Sequence, residues 1–301
     1  MGVRMLDVHK LALLREVALH GSVTAAARSL QMSTSNISQR LSRLEQETGV
    51  RLLETVGRGV ILTDAAWQLV AQTEDILAAL EQAEADLSAS RDALAGRVRL
   101  VGFHSFALRM LAEVAAHLRE LAPALNLEFR QLDPEEAIDE VLARRADIAV
   151  ADEYPGVPLP PTLGLVRTDL GREPIRAFLP SEDADPGQVH WAMEPRNSDS
   201  FRWSVATCRK AGFEPRVRFE SPDPTVHRQL VERGVAAAFL PSTIGQGLPD
   251  SLTHVAGLPE VMYRKVLTVV RRGTDRSPAI EACRQAIAFS FAALQDRAGW
   301  V

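Results

Sequence analysis

The side chains best suited to reading another molecule lie near the amino terminus. Residues 34–48 read TSNISQRLSRLEQET, with Ile37, Leu41 and Leu44 at helical spacing. The other stripe of that predicted helix carries Thr34, Ser35, Ser38, Gln39, Ser42 and Arg43. Solvated helix faces ordinarily favour Glu, Lys, Gln and Ala, because Ser and Thr compete with the backbone. Short hydroxyls, an amide and a guanidinium at a helix start instead suit a major groove, where they can meet base edges. Ser33, Arg40 and Arg51 extend this candidate DNA-contacting set. Arg58, between Gly57 and Gly59 in a predicted hairpin loop, is placed to reach phosphate or a narrow minor groove. Its plainer reading is a solvated turn arginine.

A second set of polar residues falls where predicted strands give way to helices. His104 and Ser105 follow the apolar run 98–101, and Asp133 follows the alternating segment 125–132. Asn197, Ser198 and Ser200 precede a predicted helix, and the run AAAFL, which includes Phe239, ends in Pro241 and Thr243. Unpaired N–H groups at such helix starts favour an anion. The expectation is therefore a small anionic or amino-acid-like effector. Each serine or threonine taken alone also reads as an ordinary N-cap.

Catalysis finds little support. There is no G-x-S-x-G elbow, H-E-x-x-H, Walker loop or G-x-G-x-x-G after a strand. The seven histidines are scattered without metal-ligand spacing, and the acids Asp133, Glu135 and Glu136 begin a helix, where they favour the dipole. No metal and no cofactor are expected. Two cysteines, Cys208 and Cys283, suit a reduced cytoplasmic protein and form no disulfide framework. No apolar run approaches the 18 or so residues of a membrane span, and MGVRMLDVHK lacks the apolar stretch of a signal peptide.

The elements that must position these residues divide the 301-residue chain unevenly. The net charge of −5 conceals a basic head, +3 over residues 1–62, and an acidic strip, −6 over residues 63–96. No proline precedes Pro123, and no glycine lies between Gly59 and Gly96. Within that interval Leu69, Thr73, Ile76, Leu80, Ala83 and Leu87 alternate spacings of four and three, predicting a long helix whose seam packs on a second copy of the chain. Beyond Gly96 a β-α-β-α-β rhythm predicts an α/β body with parallel strands, and the segment 174–180 starts another sheet. Two α/β lobes joined by crossings near 170 and 270 would enclose a cleft. The expected divisions are a winged helix-turn-helix over 1–62, a linker helix over 63–90 and an effector domain over 91–301. Its first lobe covers about 97–169 and 271–301, its second about 170–270.

Residues 6–70 resemble the amino-terminal domain of LysR-type transcriptional regulators. The segment GSVTAAARSLQMSTSNISQRLSRLEQETGVRLLETVGRGVILTDAA carries about a dozen of that family's motif positions at fixed spacing. The likeness extends through wing and linker to a two-lobed α/β effector domain like that of periplasmic binding proteins. It implies operator DNA, a small effector and a second copy of the chain as partners, in a dimer or a dimer of dimers, with RNA polymerase as a further candidate. The alternatives are a ligand-binding protein with a vestigial head, and an enzyme. The chain departs from the pattern at Ser35, where proline is usual, at Leu53, Glu54 and Thr55, where Phe and Arg are usual, and at Ala66, where glycine is common. Glu54 would repel phosphate, so these changes bear on DNA affinity and site preference.

Overall fold

The computed structural model describes residues 5–56, 59–89, 94–253, 255 and 257–298. Three helices come first: α1 (Val8–His20), α2 (Val23–Ser29) and α3 (Thr34–Thr48). Their starts are capped by Asp7, Ser22 and Ser33, whose side chains accept from the backbone N–H of His9, Ala25 and Asn36. Gly21 and Gly49 close α1 and α3 at φ 67° and 71°, in left-handed backbone. Leu11, Leu14 and Val17 of α1 meet Ala26 and Ala27 of α2 and Ile37, Leu41 and Leu44 of α3 in one core. Each large aliphatic side chain buried there contributes about 1.5–3 kcal/mol. Strands β1 (Leu53–Val56) and β2 (Gly59–Leu62) pair antiparallel as the expected wing. Gly57 and Arg58 lie outside the described residues.

Helix α4 (Asp64–Ala89) forms where breakers were absent, but its expected seam is divided. Leu69 and Ile76 pack on the core of the head, and Thr73 is buried with its hydroxyl on the Leu69 carbonyl (2.7 Å). Only Leu80, Ala83 and Leu87 reach solvent, joined by Trp67. The fully inward stripe is Ala66, Val70, Glu74, Leu77, Glu81 and Ala85. Two acids expected on solvated faces are thus inside. Glu74 accepts from Arg15 of α1, and Arg15 also donates to Glu16 (2.8 Å) and to the Leu142 carbonyl (3.3 Å). Glu81 accepts from Arg271 (2.8 Å) and pairs with Arg144. The linker is thereby fastened to its own head and to its own body.

The body comprises, in chain order, β3 (Ala95–Gly102), α5 (His104–Arg109), α6 (Leu111–Leu121), β4 (Ala124–Gln131), α7 (Pro134–Leu142), β5 (Ile148–Glu153), β6 (Leu165–Phe178), β7 (His190–Met193), α8 (Asp199–Lys210), β8 (Arg216–Glu220), α9 (Pro224–Glu232), β9 (Ala237–Pro241), α10 (Ser242–Gly245), β10 (Met262–Arg271) and α11 (Pro278–Ala298). The strands form one sheet in the order β4-β3-β5-β10-β6-β9-β7-β8. β3 pairs parallel with β4 and β5, and β7 with β8 and β9, as the alternating rhythm requires. The second sheet expected from residue 174 is instead continuous with the first. β6 begins at Leu165 and pairs antiparallel with all of β10, so two long strands serve both halves. Arg167, Asp169 and Arg172 obscure the apolar alternation over the first half of β6. A register shift between Val266 and Leu267 faces Gly171, whose φ is 150° and where a Cβ would stand 2.7 Å from the Phe291 ring.

Breaking a buried ion pair by removing one partner typically costs about 3–5 kcal/mol. Arg15→Met should therefore lower stability in urea unfolding by about 3 kcal/mol, because Glu74 keeps a buried charge without its partner. A loss below about 1 kcal/mol would show that the head–linker–body contact contributes little.

Candidate functional site

The polar face of α3 is built by its inner one. With Ile37, Leu41 and Leu44 fixed in the core, Thr34, Ser35, Ser38, Gln39, Ser42 and Arg43 must face solvent, and all are exposed. Ser33 is exposed but serves as the cap (3.2 Å to Asn36 N), and its hydroxyl lies 3.1 Å from that of Ser35. Arg40 is steadied by Asn36 Oδ1 (2.9 Å). Thr34, Ser38, Gln39 and Arg43 make no side-chain hydrogen bond or ion pair among the described residues, so their donors and acceptors remain available. The acids at the far end of α3 are occupied. Glu45 accepts from the backbone N–H of Leu52 and Leu53 (2.8 and 3.0 Å), and Glu47 pairs with Lys10 (2.5 Å). Arg51 and Glu54 are exposed beside the wing.

The second site is a cavity of about 190 Å³ between the two halves of the sheet. His104, Ser105, Asp133, Asn197, Ser198, Ser200 and Pro241 line it. Ser198 also caps α8, accepting from Phe201 N (3.1 Å). Phe239 and Thr243 do not line the cavity. Phe239 belongs to the aromatic core of the second half, stacked on Trp191 and edge-on to Trp203, both at 5.1 Å. Thr243 turns to Glu173 Oε1 through its backbone N–H (3.0 Å) and hydroxyl (2.6 Å).

The cavity is governed by residues outside the sequence-derived set. Arg264, 4% exposed, donates to Glu173 (2.9 and 2.5 Å), to Asp152 (2.9 Å) and to the Ser105 hydroxyl (2.6 Å), and its guanidinium lies 4.8 Å over the Phe103 ring. Burial opposes its charge, but Glu173, Tyr154 and Asp152 raise its pKa well above the usual arginine value. Asp152, Tyr154 and Glu194 complete the wall. Burial, reinforced by the charge of Asp152, pushes Glu194 up to about 8. A period-two reading of MYRKV, with Met262, Arg264 and Val266 facing inward, was the available signal for Arg264. Asp152 and Glu194 had none, because each follows an apolar strand whose neighbours across the cleft are far away in sequence. Both cysteines are buried, with thiols pushed up to about 12 by burial, and so provide no thiolate for chemistry. No three residues among those described are placed to hold a metal ion.

Glu194 retains in the folded chain a proton that the unfolded chain releases near pH 4.5. The resulting stability is fully present below that pH and falls progressively until about pH 8. The melting temperature should therefore drop more steeply between pH 5 and 8 in the wild type than in Glu194→Gln. Parallel curves for the two proteins would remove Glu194 as the titrating group.

Comparison with known proteins adds the following. The family model described as the LysR substrate binding domain matches residues 91–291, and that of the bacterial regulatory helix-turn-helix protein, lysR family, matches residues 8–67. The HTH-type transcriptional regulator YofA of Bacillus subtilis is 31% identical over 137 residues, 46% of this chain and 48% of that relative. The transcriptional dual regulator GltC of the same species is 26% identical over 256 residues, 81% of this chain and 84% of its own. Among solved structures, a full-length OxyR variant from Pseudomonas aeruginosa aligns with a TM-score of 0.55 at 18% identity, covering 94% of this chain and 95% of that one, a likeness of fold.

Proposed function

The chain belongs to the LysR family of bacterial transcriptional regulators, and on that premise we propose that α3 reads operator DNA while the cavity between the lobes takes the effector that controls it. The observation that carries the DNA reading is the uncommitted polar face of α3: Thr34, Ser38, Gln39 and Arg43 are exposed and unpaired beside a basic head. Gln39 and Arg43 offer the amide and guanidinium that pair with adenine and guanine edges. Arg51 and Arg58 serve phosphate, and Ser33 serves the helix that presents the others. The effector reading rests on seven of nine helix-start residues sharing one cavity. The protein acts by binding, with no catalytic role. Its place of action is the bacterial cytoplasm, with RNA polymerase as a further partner.

A second copy of the chain covers the exposed carboxyl-terminal half of α4. Leu80 and Leu87, 47% and 70% exposed, lie seven residues apart on one face of the helix, and Trp67, 52% exposed, lies near its start. Leu69, Thr73 and Ile76 support this contact from behind. Two copies present two α3 helices to successive major grooves, the arrangement that reads paired half-sites.

An electrophoretic shift on the gene's own upstream region tests the DNA reading. Affinity should fall about 10³–10⁵-fold between 50 and 200 mM salt if about 6–10 phosphates are contacted. Arg51→Ala should weaken all sequences alike, whereas Gln39→Ala should change base preference by about 1–3 kcal/mol. Uniform weakening by both would displace α3 from the base edges. Leu80→Asp should convert the oligomer to a smaller species in sedimentation velocity while scarcely changing protomer melting. An unchanged sedimentation coefficient would place the main interface elsewhere.

A further inference from the structure

The cleft lacks what an anionic effector needs. Such a ligand requires a cation with donors to spare, and the arginine at the cleft floor has few. A guanidinium has five N–H donors in a fixed fork. Arg264 already makes four hydrogen bonds, two to Glu173, one to Asp152 and one to Ser105. With two carboxylates against one guanidinium, this buried cluster is itself net negative. Arg202, near the rim, is held by Asp199 and Glu135. His104 Nε2 lies 3.2 Å from Asp223 without making a hydrogen bond to it.

The cavity-facing groups outside the ion pairs are acidic, although Arg264 and the Ser200 hydroxyl act on Glu194 against its proton. Asp133 and Glu136 stand at the start of α7 on the first lobe, and Glu194 at the end of β7 on the second. None of the three has an ion-pair partner among the described residues. Asp133 acts on Glu194 through the cavity as a like charge, helping to hold its proton. The acids do not converge as a metal centre would, since no three are placed to hold an ion. They are spread around a cavity of about 190 Å³. Between them the walls are apolar: Phe103, Pro134, Tyr154, Pro222 and Pro224. Separated carboxylates with hydrocarbon between them match a short alkyl chain bearing positive charge.

Resting on the reading of this cavity as the effector site, we propose that the effector is a small organic ammonium compound held between Asp133 of one lobe and Glu194 of the other. The ammonium donates hydrogen bonds to both carboxylates, and its alkyl chain lies on the prolines and Tyr154. In the empty protein Glu194 keeps its proton beside Asp133. The bound ammonium draws that proton off to solvent and pairs with both carboxylates across the lobes, so it favours the closed arrangement over the open one. That differential affinity is what allows a ligand to shift a conformational equilibrium. The charge on the ligand is then the switch itself, and the effector's sign is opposite to the one the helix starts suggested.

Three probes of equal length and different charge test this: 1,4-diaminobutane, 4-aminobutanoate and butanedioate, titrated calorimetrically into the full-length chain. At least one of the two ammonium probes should bind, and butanedioate should not. Preference between the two distinguishes a ligand that also carries a carboxylate from one that does not. Asp133→Asn and Glu194→Gln should each raise the dissociation constant at least about tenfold, equivalent to about 1.4 kcal/mol. Asp133→Asn removes a charge that has no ion-pair partner among the described residues, and Glu194→Gln replaces a carboxyl that is already protonated at pH 7, so each should melt no lower than the wild type at pH 7, which separates lost binding from lost folding. Ser200→Trp, which fills the cavity, should abolish binding. If butanedioate binds and Ser200→Trp abolishes that binding, the cavity is the effector site and the cation assignment falls. If neither ammonium probe binds the wild type, the cation assignment also falls. If ammonium binding survives all three substitutions, both the assignment and the placement of the effector in this cavity are wrong.

Discussion

Arg264 and the two carboxylates beside it hold the centre of the body together. Its guanidinium lies where β10 passes from one half of the sheet to the other. From there it reaches Glu173 on β6, Asp152 on β5 and Ser105 at the start of α5. A charge 4% exposed persists only with such partners, because desolvation alone would expel it. The arrangement has consequences on both sides. It draws Glu173 inward, where Glu173 also takes Thr243 and removes that threonine from the cleft. It also occupies four of the five guanidinium donors at the floor of the cavity, among whose other lining residues are Asp133, Glu136 and Glu194.

The same chemistry recurs along the linker. Glu74 and Glu81 sit about two turns apart on the same face of α4 and find different arginines: Arg15 from the head, Arg271 and Arg144 from the body. Arg15 continues to the Leu142 carbonyl at the end of α7, and Arg145 donates to the Ser29 carbonyl of α2 (3.2 Å). Helix α7 therefore touches the DNA-binding head at its carboxyl end and presents Asp133 to the cleft at its amino end. One nine-residue helix thus runs from the cleft to the head. A ligand that moves Asp133 has a short physical route to the head, made of backbone acceptors and buried guanidinium groups. This is a connection by contact, and the energy it transmits is bounded by how differently the ligand binds the two lobe arrangements.

Local chemistry made much of this protein legible in its sequence. The bounds of α3 were readable because their causes are local: a capping hydroxyl, a left-handed glycine and a 3.6-residue apolar stripe act within a few positions. The exposed face of α3 followed directly, since fixing Ile37, Leu41 and Leu44 inward leaves Ser38, Gln39 and Arg43 outward. The parallel strands were legible from the β-α-β rhythm. Seven of the nine residues expected to meet an effector line one cavity, because strand ends and helix starts on one edge of an α/β sheet gather for topological reasons.

Pairings between distant residues were decided only by the tertiary structure. Whether Glu74 and Glu81 meet solvent, a second chain or Arg15 and Arg271 depends on partners 59 and 190 positions away. The alternating four-and-three spacing of α4 fits a partner helix and the chain's own core equally well, so Leu69, Thr73 and Ile76 turned inward while Leu80 and Leu87 did not. Helix starts suggest an anion from their backbone dipoles alone. The charges around the cleft come from side chains of β5, α7 and β10 and from the residue after β7, which only the fold brings together, and from the pairing of Arg264. Charge is long-ranged where water is excluded, so the field in a buried cleft belongs to the assembled fold and to no single stretch of sequence.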